Sequence, residues 1–233
     1  MKKLAVTFQL MLLLLLNNKL SAQDMKPNSF QLGFRFAPNI SWLKPNAQDY
    51  NSDGSLLKFS WGLVTDFRFA NNYYFSTGLN FNACGGKMTY STLDTASRTG
   101  KMSQSFNLRY LEIPLLLKMK THQFKSVTYY GIVGIGVGLL INVNSDEDFL
   151  PTNSTISYST TNVDIKAQVR DFKLSLIIGA GAIYSLGGST ALFGELRFNN
   201  GFTNILDFNN NISPYTPASA VPNSFDLGVG IMF

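Results

Sequence analysis

Cysteine and histidine each occur once in the 233 residues. A single cysteine excludes a disulfide scaffold and a cysteine-based zinc cluster, and a single histidine excludes a multi-histidine metal site. Charge is scarce too: Asp, Glu, Lys and Arg make up only 14% of the chain, against roughly 25% in soluble domains. The net charge of +5 comes from 19 Lys and Arg against 14 Asp and Glu, and Lys2, Lys3 and Lys19 account for most of that excess. No basic cluster or recognition motif accompanies it, so nucleic acid is not expected as a partner. No apolar run reaches the ~20 residues a membrane-crossing helix needs. What the chain has instead is 19 Phe, 10 Tyr and 45% hydrophobic residues, too apolar a composition for disorder.

The first residues read as an address. Met1-Lys2-Lys3 is a short basic start, residues 4–16 are mostly apolar, and Leu20-Ser21-Ala22 ends in a small residue. That three-part pattern is a secretory signal peptide, here residues 1–22. The mature chain is then a single domain, residues 23–233. No cysteine stands near the expected cleavage point, so no lipoprotein anchor is expected.

The mature chain alternates with a period of two. Phe30, Leu32, Phe34 and Phe36 alternate with Gln31, Gly33 and Arg35. Leu57, Phe59, Trp61, Leu63, Phe67 and Phe69 share one face, with Lys58, Ser60, Gly62, Asp66 and Arg68 opposite. The pattern is that of strands with one apolar face. Similar segments follow at 73–84, 105–120, 127–141, 172–184, 192–199 and 225–233, making eight in all. In the fourth, Leu111, Ile113, Leu115 and Leu117 share a face, but Phe106 and Leu108 fall on the opposite parity. Either a bulge near Arg109-Tyr110 resets the phase, or these two residues point inward.

The connections alternate in length. Short ones fall near 70–73, 120–127 and 186–190, and long polar ones near 39–56, 85–104, 142–170 and 199–223. Alternating strands of about ten residues, joined by alternately short and long connections, predict a closed antiparallel transmembrane β-barrel. Lipid offers no partner for a free sheet edge, so the sheet must close. Eight strands are expected, or ten if 142–170 folds into an extra hairpin. Phe67, Phe69, Tyr73, Phe75, Tyr129 and Tyr184 suit an aromatic girdle at the short-turn end. A soluble sandwich or lipocalin-like barrel also alternates, but it does not require such regular connections.

The fourth segment reads Tyr110-Leu111-Glu112-Ile113-Pro114-Leu115-Leu116-Leu117-Lys118. It resembles the strand signature of the PorT-like outer-membrane β-barrel family of the Bacteroidota. The likeness extends to residues 33–42, to Phe75-Ser76-Thr77-Gly78-Leu79, to the glycine-alternating fifth and sixth segments and to Phe198-Asn199-Asn200-Gly201-Phe202. The resemblance implies a small barrel in the outer membrane, in contact with lipid and lipopolysaccharide. Its namesake serves type-nine secretion, which would make secretion-machine proteins partners. Phe233, on the apolar face, resembles the end of other bacterial outer-membrane barrels and implies recognition by the barrel assembly machinery.

Charge collects on the inward face. Arg35, Asp66, Arg68, Glu112, Glu195 and Arg197 are placed by parity in the middle or short-turn part of the lumen. Three acids and three bases there are expected to pair as a structural plug, since a buried charge left alone is strongly disfavoured. A gate, a proton path or a carboxylate pair of Glu112 with Glu195 are the functional alternatives. Inward glycines 134, 136, 138, 179, 181, 228 and 230 leave room for bulky partners. Gly134-Ile135-Gly136-Val137-Gly138 lacks the third glycine of a dinucleotide fingerprint. His122 falls in a short turn, Cys84 reads as a small filler, and Ser145-Asp146-Glu147-Asp148 as a solvated acidic turn. No cofactor and no enzymatic activity are expected.

Overall fold

The computed structural model describes residues 29–94, 97–209, 212 and 217–233. The expected signal peptide lies outside them. The strands are β1 (Phe30–Pro45), β2 (Tyr50–Gly54), β3 (Leu56–Ala70), β4 (Tyr73–Leu93), β5 (Thr99–Lys120), β6 (Val127–Pro151), β7 (Tyr158–Asp164), β8 (Phe172–Gly187), β9 (Thr190–Gly201) and β10 (Ala220–Met232). Eight of them form a ring in the order β1-β3-β4-β5-β6-β8-β9-β10. The ring closes through β1 and β10, which pair antiparallel from Gly33–Met232 to Pro45–Ala220. Every neighbouring pair is antiparallel. Closure joins the strands into one ring, the arrangement a sheet in lipid requires.

Side chains sort by parity. Phe30, Phe34, Phe59, Leu63, Ile113, Ile135, Leu196 and Leu227 point outward and are exposed. Arg35, Asp66, Glu112, Lys118 and Glu195 on the alternate positions are buried. A continuous apolar outer belt of this extent does not suit water, but it matches hydrocarbon. The six residues of the expected short-turn girdle are all exposed. Phe67 pairs with Phe75 across the β3–β4 hairpin, and Tyr184 sits opposite Val127. Two tight turns explain their sequences. Asn72 has φ 67°, and Gly187 and Gly188 have φ 107° and 62°, values that asparagine and glycine tolerate best.

Three expectations need correction. The stretches 85–104 and 142–170 are not loops in the main. β4 and β5 continue as a ribbon to Leu93–Thr99, and β6 runs beside β5 to Pro151. β2 adds to the edge of β4 and β7 to the edge of β6. The hairpin expected at 142–170 therefore exists, but it widens an outer sheet β2-β4-β5-β6-β7 and adds no stave to the barrel. The acidic run Ser145–Asp148 is part of β6 and not a turn. Glu147 accepts from Gln104, Asp148 from Ser159 and Asp146 from the amide of Asn162.

The phase question in the fourth segment resolves to the inward alternative. Phe106, Leu108, Tyr110, Glu112, Leu116 and Lys118 are all buried on one parity. The irregularity lies in the partner strand. Arg109 pairs with Asn142 and Tyr110 with Leu140, so Ile141 is the extra residue. This bulge in β6 turns Val143 and Ser145 inward after Leu139 and Ile141 have both pointed out.

Candidate functional site

The barrel interior brings five of the six parity-selected charges into ion pairs. Near the middle, Arg35 on β1 places Nε 2.6 Å from Glu195 Oε1 and Nη2 3.2 Å from Asp226 Oδ2. Arg197 Nε lies 2.6 Å from the same Glu195 oxygen, though without hydrogen-bond geometry. The other oxygen of Glu195 accepts from the Tyr130 hydroxyl at 2.8 Å. Asp226 accepts from Ser224 at 2.8 Å, and Ser224 accepts from Asn199 at 2.9 Å. Glycine makes the space: a Cβ on Gly228 would lie 3.0 Å from Arg35 Nε and 2.9 Å from Glu195 Cγ.

Glu112 is held separately. Lys173 Nζ on β8 approaches its Oε2 at 2.8 Å, and Asn82 donates to the same oxygen at 3.0 Å. The Lys173 ammonium also lies 5.0 Å from the centre of the Tyr110 ring. Glu112 and Glu195 thus have different cationic partners and share no common ligand. Toward the short-turn mouth, Asp66 takes Lys118 at 2.8 Å and Lys120 at 3.2 Å. Lys118 sits 4.7 Å from the Tyr130 ring centre, which links this group to the Glu195 group. Arg68 stands apart: it donates to Asn71 at the rim. It lines a cavity of about 340 Å³ there with Lys120 and the exposed His122.

Lys118, Lys120, Lys173 and Asp226 are the members the six-residue selection lacks. Each falls on the inward parity in sequence, so the signal that finds Glu112 and Glu195 finds them as well. Breaking one buried pair by removing a single partner typically costs about 3–5 kcal/mol, because the remaining charge is stranded. The contacts therefore hold one another in register.

The outer half of the interior is apolar. Leu43, Met88, Phe106, Leu108, Leu140 and Val143 on the strands form one buried cluster. Cys84 belongs to it, a buried free thiol. Tyr110 on β5 and Ala220 on β10 join it, and the two outer connections add further members. Ile165 and Val169 lie beside a short 3-10 turn at Lys166–Gln168, and Ile205 and Leu206 follow β9. These segments clasp each other: Arg170 N donates to Ile205 O and Asp207 N to Gln168 O, both at 2.8 Å. Asn204 braces the second segment, its Oδ1 accepting from the amides of Leu206 and Ala220. Sequence periodicity gives no sign of this cap. Tyr50 on β2 belongs to the same cluster and packs on Tyr90 and Phe208, and burial, with Asp49 second, pushes its phenol up to about 12.

Solved structures of outer membrane proteins resemble the fold, among them the following three. Neisserial surface protein A is 12% identical, with a TM-score of 0.46 over 88% of this chain and 96% of that one. The outer membrane protein OprG from Pseudomonas aeruginosa is 15% identical, with a TM-score of 0.44 over 88% and 95%. The outer membrane protein AlkL in lipid bilayers is 14% identical, with a TM-score of 0.44 over 93% and 95%. Similarity at this level carries no information on function. No curated protein matches the chain in sequence. The family described as outer membrane protein beta-barrel domain matches residues 21–207. With most of its length so matched and its eight-stranded ring closed, the chain belongs to that family and is a protein of the bacterial outer membrane.

Proposed function

We propose that the protein is a non-conducting, non-catalytic barrel that acts through its outer sheet as a structural and interaction module. The observation that carries this reading is the filling of the interior in two layers. Ion pairs around Glu195, Glu112 and Asp66 occupy the middle and inner part. The cap built on Ile165, Val169, Ile205 and Leu206 occupies the outer end. An eight-stranded barrel has an interior just wide enough for side chains, so two such layers amount to a plug. Activity would then reside in the parts that reach past the bilayer, chiefly β2, β7 and the outer halves of β4, β5 and β6. Residues 1–22 serve as a cleaved leader in this reading. The assembly machinery engages the last strand through Phe233, and lipid and lipopolysaccharide surround the belt.

Single-channel recording in planar bilayers tests the plug. The expected trace is silent at moderate voltage. Stable, reproducible open steps from the purified protein would replace this reading with a solute channel.

A second reading, an accessory role in type-nine secretion, draws on the segment 110–118. Its inward members already have structural work: Tyr110 stacks under Lys173, Glu112 pairs with Lys173, and Lys118 pairs with Asp66. A folding reason for the motif weakens its use as a functional label, which ranks this reading second. Clean deletion followed by proteomics of periplasm, surface and medium separates the two. Cargo held in the periplasm would favour secretion, and an unchanged distribution would favour the interaction barrel.

A further inference from the structure

The barrel wall parts on one side near its outer end. Pairing of β3 with β4 stops at Ser60–Asn82, although β3 extends to Leu56 and stays paired with β1 as far as Ser41–Leu56. Beyond Asn82, β4 leaves β3, stays paired with β5, takes the short β2 on its other edge at Lys87–Tyr90 and moves in to touch β1. Ser41 Oγ donates to Gly85 O at 2.6 Å and accepts from Gly85 N at 2.7 Å. A Cβ on Gly86 would lie 2.4 Å from Leu43 N. The outer end of β3 is left beside a cleft of about 840 Å³.

The cleft has an amphiphilic lining. Phe59, Trp61 and Phe81, all outward-facing and exposed, form its apolar part. Trp61 and Phe81 stack with ring centres 4.4 Å apart. Lys58, Arg109 and Asp146 supply its charge. Lys58 donates across the gap to Asn107 on β5, a strand two places away. Arg109 is exposed on the lipid side of β5, directly above the apolar series Leu111, Ile113, Leu115 and Leu117. Tyr110, whose hydroxyl has no hydrogen-bond partner among the described residues, lines the same space.

We propose that this cleft holds one anionic, phosphate-bearing lipid of the outer leaflet. Its acyl chain would lie against Phe59, Trp61 and Phe81, and its phosphate would sit between Lys58 and Arg109. The position selects the ligand class. A cleft opening sideways at the outer margin of the belt is reached from the bilayer, because long connections face outward in such barrels. Charge selects the headgroup. Lys58 lies within electrostatic reach of both Arg109 and Asp146, so two cations face one acid and an added anion relieves their repulsion. A neutral lipid would satisfy the aromatics alone. The proposal holds whether or not the lumen conducts.

The chain has two tryptophans, which makes the test direct. Trp61 lines the cleft. Trp42, on β1, packs between Phe198 and Phe225, away from it. Trp42→Phe protein reports on the cleft and Trp61→Phe protein on the neighbouring face formed by β1, β10 and β9. Each is reconstituted with dibromostearoyl phosphatidic acid or dibromostearoyl phosphatidylcholine, and quenching gives a relative binding constant at each tryptophan. At Trp61 the anionic lipid is expected to bind about fivefold tighter or more, the effect of one basic residue near a charged lipid. The preference should collapse in Lys58→Gln/Arg109→Gln and be absent at Trp42. Equal quenching at Trp61, a preference that survives the double substitution, or the same preference at Trp42 would each overturn the proposal. Unheated gel migration shows whether each variant is folded. If the double variant is not, the comparison of the two lipids at Trp61 in protein with both cations still decides.

Discussion

Lys173 and Glu112 meet across Gly138. The three residues share one rung: Gly138 pairs with Glu112 on one side and with Lys173 on the other. The salt bridge of 2.8 Å spans the intervening strand β6. A Cβ on Gly138 would lie 3.2 Å from Lys173 Cε, so a small residue there is a condition of the pair.

That relationship predicts an asymmetry. Lys173→Met leaves a buried carboxylate stranded and should lower stability by about 3–5 kcal/mol. Lys173→Met combined with Glu112→Gln removes both charges and should recover a large part of that loss, because Asn82 can still bond the neutral amide. Urea midpoints in lipid vesicles for both single variants and the double variant measure it. Equal loss in the single and the double would show that the pair matters for volume alone. Gly138→Leu should mimic the single loss, since the side chain would occupy the path of Lys173.

Much of this site can be read from parity. Arg35 and Glu195 fall on the inward face of segments whose other face is continuous Phe, Leu or Ile, and Lys118, Lys173 and Asp226 share that signature. Which cation meets which acid cannot be read so, because Arg35 crosses the β1–β10 seam and Lys173 crosses β6. The outer cap is also hidden. Ile205 and Leu206 are two adjacent apolar residues in a polar stretch, and two residues carry no period. In β5 the sequence misleads in a specific way. Phe106 and Leu108 look out of phase with Leu111 and Ile113 because the outer interior is apolar, so both faces of that strand are hydrophobic at different heights.

The bulge in β6 makes the second prediction. Ile141 is the residue without a partner on β5. Its deletion leaves Leu140 opposite Tyr110 and Asn142 opposite Arg109, with Val143 still inward. Heat-modifiable migration in SDS should survive. Deletion of Val137, four residues earlier in a regular stretch, turns every outer residue of β6 to the wrong face. That variant should lose the heat shift. Loss of the shift in both would mean that the bulge itself is required for closure.

A third prediction concerns pH. The Tyr50 phenol titrates near 12, above its ordinary value of 10, chiefly through burial. A raised value means that the neutral form is favoured when the outer sheet is docked. Its contribution is complete below pH 10 and is lost as pH rises from 10 through 12. Trypsin cleavage of the outer segments should accelerate across that window, and Tyr50→Phe should remove that part of the acceleration. An identical profile in the variant would assign the change to other groups.

The last prediction tests the clasp between the two outer connections. Leu206 and Ile205 are fully buried, and the backbone on either side of them bonds the segment around Val169. Arg170 carries an exposed guanidinium that pairs with Asp207. Its amide, however, is tied to Ile205 O, so a protease sees the side chain but cannot extend the backbone around it. Leu206→Ala leaves a cavity and should weaken the clasp by about 2–5 kcal/mol, enough to raise local opening by at least about thirtyfold. Trypsin added to intact cells should then cut after Arg170 in the variant while sparing the unmodified protein. The barrel should remain folded, because the eight-strand ring does not depend on that contact. Unchanged resistance in Leu206→Ala would place the anchoring elsewhere, with Asn204 and its bonds to Leu206 and Ala220 the next to substitute.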